Sequence, residues 1–238
     1  MPGLFFEFVR PTGAIPVLQD IYRMKAKFIA HLEHRLKSSL PGREAQFRMA
    51  HITRSSFSDS VPKDARPAAV LALFYPFNDE WRIVLIERES HNPRDRHKGQ
   101  ISFPGGAFEK QDRSLADTAL REAEEEIGVD ASAIKLLGQL SSLYIPVSNF
   151  DVHPFVGFLE KAPLFKPQPH EVKEILEAPF QLFLEPQNRS LTTVVVHETL
   201  SLSDVPFFNV HGKVVWGATA MIMSELLEIY GDAIPPMR

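Results

Sequence analysis

Apolar positions along the chain change period several times, and each change predicts an element. Over residues 16–40, Leu18, Ile21, Phe28, Leu32 and Leu36 fall on one stripe with the stem of Lys25, which predicts a helix ended by Pro41-Gly42. The stripe suits burial against a core, with a dimer contact as the alternative. Residues 41–66 carry little pattern beyond a short helical stretch at 44–49, and are expected to wrap the domain. An unbroken apolar run at 68–74 has the character of a strand covered on both faces. A Phe77-Asn78-Asp79-Glu80 turn joins it to the alternating segment 81–87, giving a hairpin.

Further on, 134–145 alternates weakly as one or two strands, 152–158 and 171–176 read as strands, and 179–184 as a short helix. Residues 191–200 and 205–215 pattern as a second hairpin. A final helix opens at Trp216-Gly217 and buries Met221, Ile222, Leu226 and Ile229. The clearest helix lies between Ser114 and Gly128. Ser114-x-x-Asp117 has the form of a capping box, and Ala116, Ala119, Leu120, Ala123 and Ile127 give one buried face. Gly128 stands where a left-handed cap ends such a helix. This mixture of helices and strands predicts an α/β or α+β class.

Composition narrows the setting. A chain of 238 residues with 44% apolar content can bury a full core. Its net charge of −4 argues against a general nucleic-acid or anionic-membrane binder, so any positive site must be local. The absence of cysteine excludes disulfides, a thiolate zinc site and a cysteine nucleophile. No apolar run reaches membrane-spanning length, and the start has no signal-peptide layout. A cytoplasmic protein that binds neither membrane nor nucleic acid is the expectation.

The chemistry concentrates at the end of the capped helix, where Glu122, Glu124, Glu125 and Glu126 fall within five residues. Glu122 and Glu126 are neighbours at i, i+4, with Glu125 beside them. Like charges so placed repel by about 0.2–0.5 kcal/mol per pair, a cost that a divalent cation reverses. Arg121, four residues before Glu125, is placed to orient that carboxylate. Upstream, Arg88, Arg94, Arg96, His97 and Lys98 lead directly into Gly105-Gly106 and bring cations to the same place. Guanidinium is shaped for phosphate oxygens. Rival chemistries lack their residues: there is no H-x-x-x-H or H-E-x-x-H zinc spacing, no G-x-S-x-G elbow and no glycine-rich phosphate loop ending in Gly-Lys-Ser/Thr.

Arg121-Glu122-Ala123-x-Glu125-Glu126-x-Gly128-Val129, preceded by Gly105-Gly106, resembles the signature of the Nudix hydrolases. Fourteen residues separate Gly106 from Arg121, one more than in the usual signature, and its early glutamate has no exact counterpart, Glu109 and Asp112 being the nearby acids. Arg88, His97-Lys98-Gly99-Gln100 and Phe103-Pro104-Gly105-Gly106 are similar to the coenzyme A pyrophosphatase branch. So are the loop containing Ser148, the strand that follows it, and the Trp216-Gly217-Ala218-Thr219-Ala220 helix start. The resemblance covers roughly residues 67–230. It implies a Nudix-type α/β/α sandwich, a mixed sheet between helices, at 67–238, with residues 1–66 as an added N-terminal helix and wrapping segment.

It also implies hydrolysis of the diphosphate of coenzyme A or its thioesters, giving adenosine 3′,5′-bisphosphate and (acyl-)4′-phosphopantetheine. Mg²⁺ or Mn²⁺ would be held by Glu122 and Glu126, with Glu125 as a further ligand or close behind them and the Gly106 carbonyl completing the shell. Arg88, Arg94, Arg96, His97, Lys98 and Ser148 are the expected substrate contacts, and Arg121 and Glu125 the catalytic pair. The general base is open among Glu125, Glu171 and Glu198. ADP-ribose or NADH as substrate, or a non-catalytic nucleotide sensor on the same fold, are the alternatives.

Overall fold

The computed structural model describes residues 18–56, 60–90, 97–197 and 200–231. Two helices come first, α1 (Leu18–Leu36) and α2 (Gly42–Phe47), followed by a 3₁₀ turn at Ile52–Ser56. Then come β1 (Arg66–Phe77), β2 (Glu80–Arg88), β3 (Ile101–Ser102), β4 (Gly105–Ala107) and α3 (Leu115–Ile127). They are followed by β5 (Lys135–Gln139), β6 (Leu143–Ile145), β7 (Phe150–Phe158), β8 (Val172–Pro179) and α4 (Gln181–Leu184). β9 (Arg189–His197), β10 (Leu200–Val210), β11 (Lys213–Trp216) and α5 (Gly217–Tyr230) complete the order.

The unbroken apolar run belongs to β1, which lies in the middle of a mixed sheet. β1 runs parallel to β7 and antiparallel to β2 and β4, in the order β3-β2-β1-β7-β5, with β8 on β2 and β6 on β7. Because side chains alternate along a strand, an all-apolar strand must have two covered faces. Leu71, Leu73 and Tyr75 pack with Ala119, Ala123 and Ile127 of α3. Ala72 and Phe74 turn the other way, into a core shared with Leu32, Leu36, Met49 and the Met223, Leu226 and Leu227 face of α5. Helices therefore cover both sides of the sheet, as the resemblance implied. Phe28 of the α1 stripe stacks on Trp81 and meets Phe74, Phe180 and Tyr230 edge-on or tilted, so this part of the stripe serves the core.

The caps of α3 form as the sequence predicts. Ser114 Oγ accepts from the Asp117 N–H at 3.1 Å, and Gly128 takes φ +70° while its N–H donates to the Glu124 carbonyl at 3.0 Å. The β1–β2 hairpin turns at Asn78, whose φ is +51°.

Two elements differ from the sequence reading. The first helix stops at Leu36, and Pro41-Gly42 opens α2 instead of closing α1. Proline lacks an N–H and fixes φ, here −65°, so it serves as readily at a helix start as after a helix end. Residues 16 and 17 lie outside the described residues. The expected hairpin at 191–215 is a three-stranded meander, β11-β10-β9. Its extra turn is at His211-Gly212, both at positive φ (+52° and +83°), and an irregularity near Asp204, also at positive φ, bends β10. No helix among the described residues is long and apolar enough to cross a membrane.

Candidate functional site

The site is built where β4 brings the double glycine against the last turns of α3. Gly106 pairs with Ala69 and Gly105 with Val70 of β1. Position 105 requires glycine. A Cβ at Gly105, whose φ is +155°, would stand 2.3 Å from the Ala69 carbonyl oxygen. One at Gly106 would stand 2.4 Å from Glu122 Oε1. The turn thus lies directly on the glutamate side chains, and a larger residue at Gly106 would have to displace the Glu122 carboxylate.

Glu126 is 1% exposed. Its carboxylate accepts the Gly105 N–H at 2.8 Å and faces Arg88 Nη1 at 3.3 Å. Burial pushes its pKa up to about 8, against the pull of Arg88 and the Gly105 N–H. Glu122 is also buried and is raised by burial, opposed by Arg121. Glu171, exposed at the entry to β8, completes a group in which one carboxylate oxygen from each residue lies within 4.8 Å of the others. Three carboxylates so close, two of them held out of water, are costly together without a cation. An all-oxygen, all-anionic donor set suits Mg²⁺ or Mn²⁺. The residues present therefore fit a divalent metal.

Arg121 holds the front of this group. Its Nε and Nη2 donate to the two oxygens of Asp112 at 2.9 and 3.0 Å, Nη1 reaches Glu122 at 2.9 Å and Glu125 at 3.0 Å, and Nη2 also meets the Ala107 carbonyl at 3.1 Å. A guanidinium engaged on every side is a clamp, with no donor left for phosphate. Asp112 is buried, accepts further from Thr118 Oγ1 and the Glu109 N–H, and is held well below the usual carboxylate range chiefly by Arg121. Of the two nearby acids, Asp112 is thus the partner of Arg121, whereas Glu109 bonds Gln111. The sequence signal was there, in an acidic residue six positions after Gly106, but spacing could not separate it from Glu109.

Not every expected residue converges. Glu125 is exposed and lies outside the three-carboxylate group. Glu171, weighed from the sequence only as a base, lies inside it. Arg88 reaches the centre through Glu126. His97 bonds Gln100 through Nδ1 at 3.0 Å. Lys98 is half-exposed and engages Glu89 at 2.7 Å and the Ser90 carbonyl at 2.9 Å. The Ser148 hydroxyl is buried in the turn before β7, on the far side of β1 from the carboxylates. Arg94, Arg96 and Glu198 lie outside the described residues.

Residues 65–193, just over half of the chain, match the family model described as NUDIX domain. The chain is 34% identical over 203 residues to Nudix hydrolase 22, chloroplastic, of Arabidopsis thaliana, covering 79% of this chain and 66% of that protein. It is 34% identical over 159 residues to the uncharacterized Nudix hydrolase NudL of Yersinia enterocolitica, covering 61% and 72%. With NudL of Pectobacterium atrosepticum it shares 44% identity over 96 residues, 40% of this chain and 49% of that one. The chain therefore spans between half and three quarters of the length of these relatives. The matched segment contains the double glycine, the arginine clamp and all three clustered glutamates, and the chain belongs to the NUDIX domain family.

Proposed function

We propose that this protein is a divalent-metal-dependent pyrophosphohydrolase acting on a nucleoside diphosphate derivative, with coenzyme A or a thioester of it as substrate. The observation that carries the reading is the group Glu122, Glu126 and Glu171, together with Arg88 beside it. These three carboxylates would hold Mg²⁺ or Mn²⁺. Such a cation screens the diphosphate and lowers the pKa of bound water.

The chain's own residues do the rest. Arg88 offers its outer guanidinium face to a phosphate oxygen while its inner face holds Glu126. Arg121, fixed by Asp112, keeps Glu122 and Glu125 in register. Glu125, exposed and oriented by that clamp, accepts the proton of the attacking water at its carboxylate; Glu171 and Glu198 are the other acceptors to compare. Coenzyme A is preferred to ADP-ribose or NADH because the sequence 88–106 resembles the coenzyme A branch. Residues 67–238 form the hydrolase domain in this reading and 1–66 the extension, of which Leu32, Leu36 and Met49 pack on its core. The proposed location is the cytoplasm, with a plastid as the alternative raised by the Arabidopsis relative.

The test is a panel of coenzyme A, dephospho-coenzyme A, ADP-ribose and NADH with each metal, products identified by mass spectrometry. Adenosine 3′,5′-bisphosphate from coenzyme A, at the highest specificity constant in the panel, is the expected outcome. A clear preference for ADP-ribose or NADH would refute the coenzyme A assignment.

A further inference from the structure

A cavity of about 270 Å³ lies on the α5 face of the sheet, and Arg88 belongs to both it and the carboxylate group. Its walls are largely apolar: Val70, Phe103, Val205, Trp216, Met221 and Ile222. Much of that wall lies outside residues 65–193, in β10, α5 and the turn at residues 51–54. The turn is fastened at both ends. His51 Nε2 donates to the Ser203 carbonyl at 2.9 Å, and the Arg54 guanidinium donates to the Tyr144 carbonyl. The segments flanking the matched domain thus help build a largely apolar cavity beside a site for diphosphate.

One group in the lining is unsatisfied. The Ser102 hydroxyl is buried and has no hydrogen-bond partner among the described residues. Buried hydroxyls are nearly always paired, so one left open beside a cavity points to a ligand that supplies the partner. Pockets for whole drug-sized ligands run to about 300–1,000 Å³, so this one suits a single arm of a larger molecule.

We propose that the cavity is the subsite for the pantetheine arm, with Ser102 hydrogen-bonding the arm's hydroxyl or amide while the diphosphate lies at the carboxylate group. The inference rests on the coenzyme A reading above and says what would enforce it. Next to its diphosphate, coenzyme A has a carbon bearing two methyl groups, then a hydroxyl and an amide. That pattern matches largely apolar walls that carry the open Ser102 hydroxyl. ADP-ribose and NADH place a second ribose at the same point, and its several hydroxyls would be desolvated against the apolar part of the wall at Val205, Met221 and Ile222.

The chain provides its own probe, since Trp216 lines the cavity and Trp81 is the only other tryptophan. A Trp81→Phe background isolates Trp216, whose emission is titrated with pantetheine alone, with neither diphosphate nor metal present. A saturable change is expected. It should weaken at least about tenfold in Ala218→Phe, which fills the space, and roughly threefold to tenfold in Ser102→Ala. Circular dichroism checks each fold, and Ala218→Leu replaces the phenylalanine variant if that one does not fold. No saturable change, or equal affinity in parent and both variants, overturns the subsite. Turnover of coenzyme A is scored separately. Pantetheine binding without coenzyme A hydrolysis would defeat the proposed function and leave the subsite standing. Hydrolysis with a KM indifferent to both substitutions would do the reverse.

Discussion

Two helices each bury a glutamate almost completely, and the surroundings of the two could hardly differ more. Glu225 of α5 is 0% exposed, and its carboxylate accepts from the Gly42 N–H at 3.1 Å, the Gln46 side-chain amide at 2.8 Å and the Ser141 N–H at 3.3 Å. Neutral donors from α2 and from the segment between β5 and β6 converge on it, so it acts as a fastener for the N-terminal helices. Glu126 of α3, equally buried, receives one backbone N–H and one long contact to Arg88, and it shares its space with two more carboxylates. Burial alone does not distinguish a structural acid from a functional one. The distinction lies in whether the donors around it are complete, or are replaced by further acids that a metal cation or a bound proton must reconcile.

The contrast is testable by removing each acid in turn, beginning with the largest effect. Glu126→Gln and Glu122→Gln replace a charged oxygen ligand with a neutral near-isostere. Each should lower kcat/KM more than a thousandfold, roughly 4 kcal/mol or more, with no loss of stability in urea unfolding. Near-normal turnover in either variant at low Mg²⁺ would remove these residues from the reaction. Glu225→Leu should do the opposite, since it removes the acceptor of one buried and two partly buried donors: a loss of about 3 kcal/mol in urea unfolding, with turnover of the folded protein little changed. If Glu225→Leu lost activity without losing stability, the division between the two acids would collapse. Arg88→Ala comes next, with an expected loss of about 1.5–3 kcal/mol in kcat/KM, expressed mainly in KM, as for one charge-assisted contact to phosphate. A change within about half a kcal/mol would return Arg88 to the role of a solvated charge.

How much of this was legible in the sequence depends on how local the cause is. The capped helix 115–127 and the pairing of Glu122 with Glu126 follow from spacing within a few turns, and both were readable. The first hairpin was readable because Asn78-Asp79 suits a tight turn. Glu171 was readable only as an acid near a strand. It reaches the group because β8 pairs with β2 and sets Val172 opposite Arg88, a register between segments more than eighty residues apart. The choice of Asp112 over Glu109 rests on Thr118 and Arg121 closing on it from the helix, which spacing along the chain does not show. The third strand of the meander was missed because the apolar residues on either side of His211-Gly212 read as one strand running through the turn.

The central claim, that the acids at the end of α3 form a metal site, is tested most directly by thermal unfolding with and without Mn²⁺ across pH, in the parent and in Glu126→Gln. The folded pKa of Glu126 is raised from the ordinary 4.5 to about 8. The metal-free folded state therefore holds this proton more tightly than the unfolded chain does. Its contribution to stability is fully present below about 4.5 and is lost as pH rises toward about 8. A cation must displace the same proton, so its binding strengthens over that window. The account predicts a Tm rise with Mn²⁺ that grows as pH increases toward about 8 in the parent, equivalent to about 2.7 kcal/mol at a hundredfold excess over Kd, and a far smaller rise in Glu126→Gln. A Tm shift of equal size in both proteins, or one independent of pH, would contradict it.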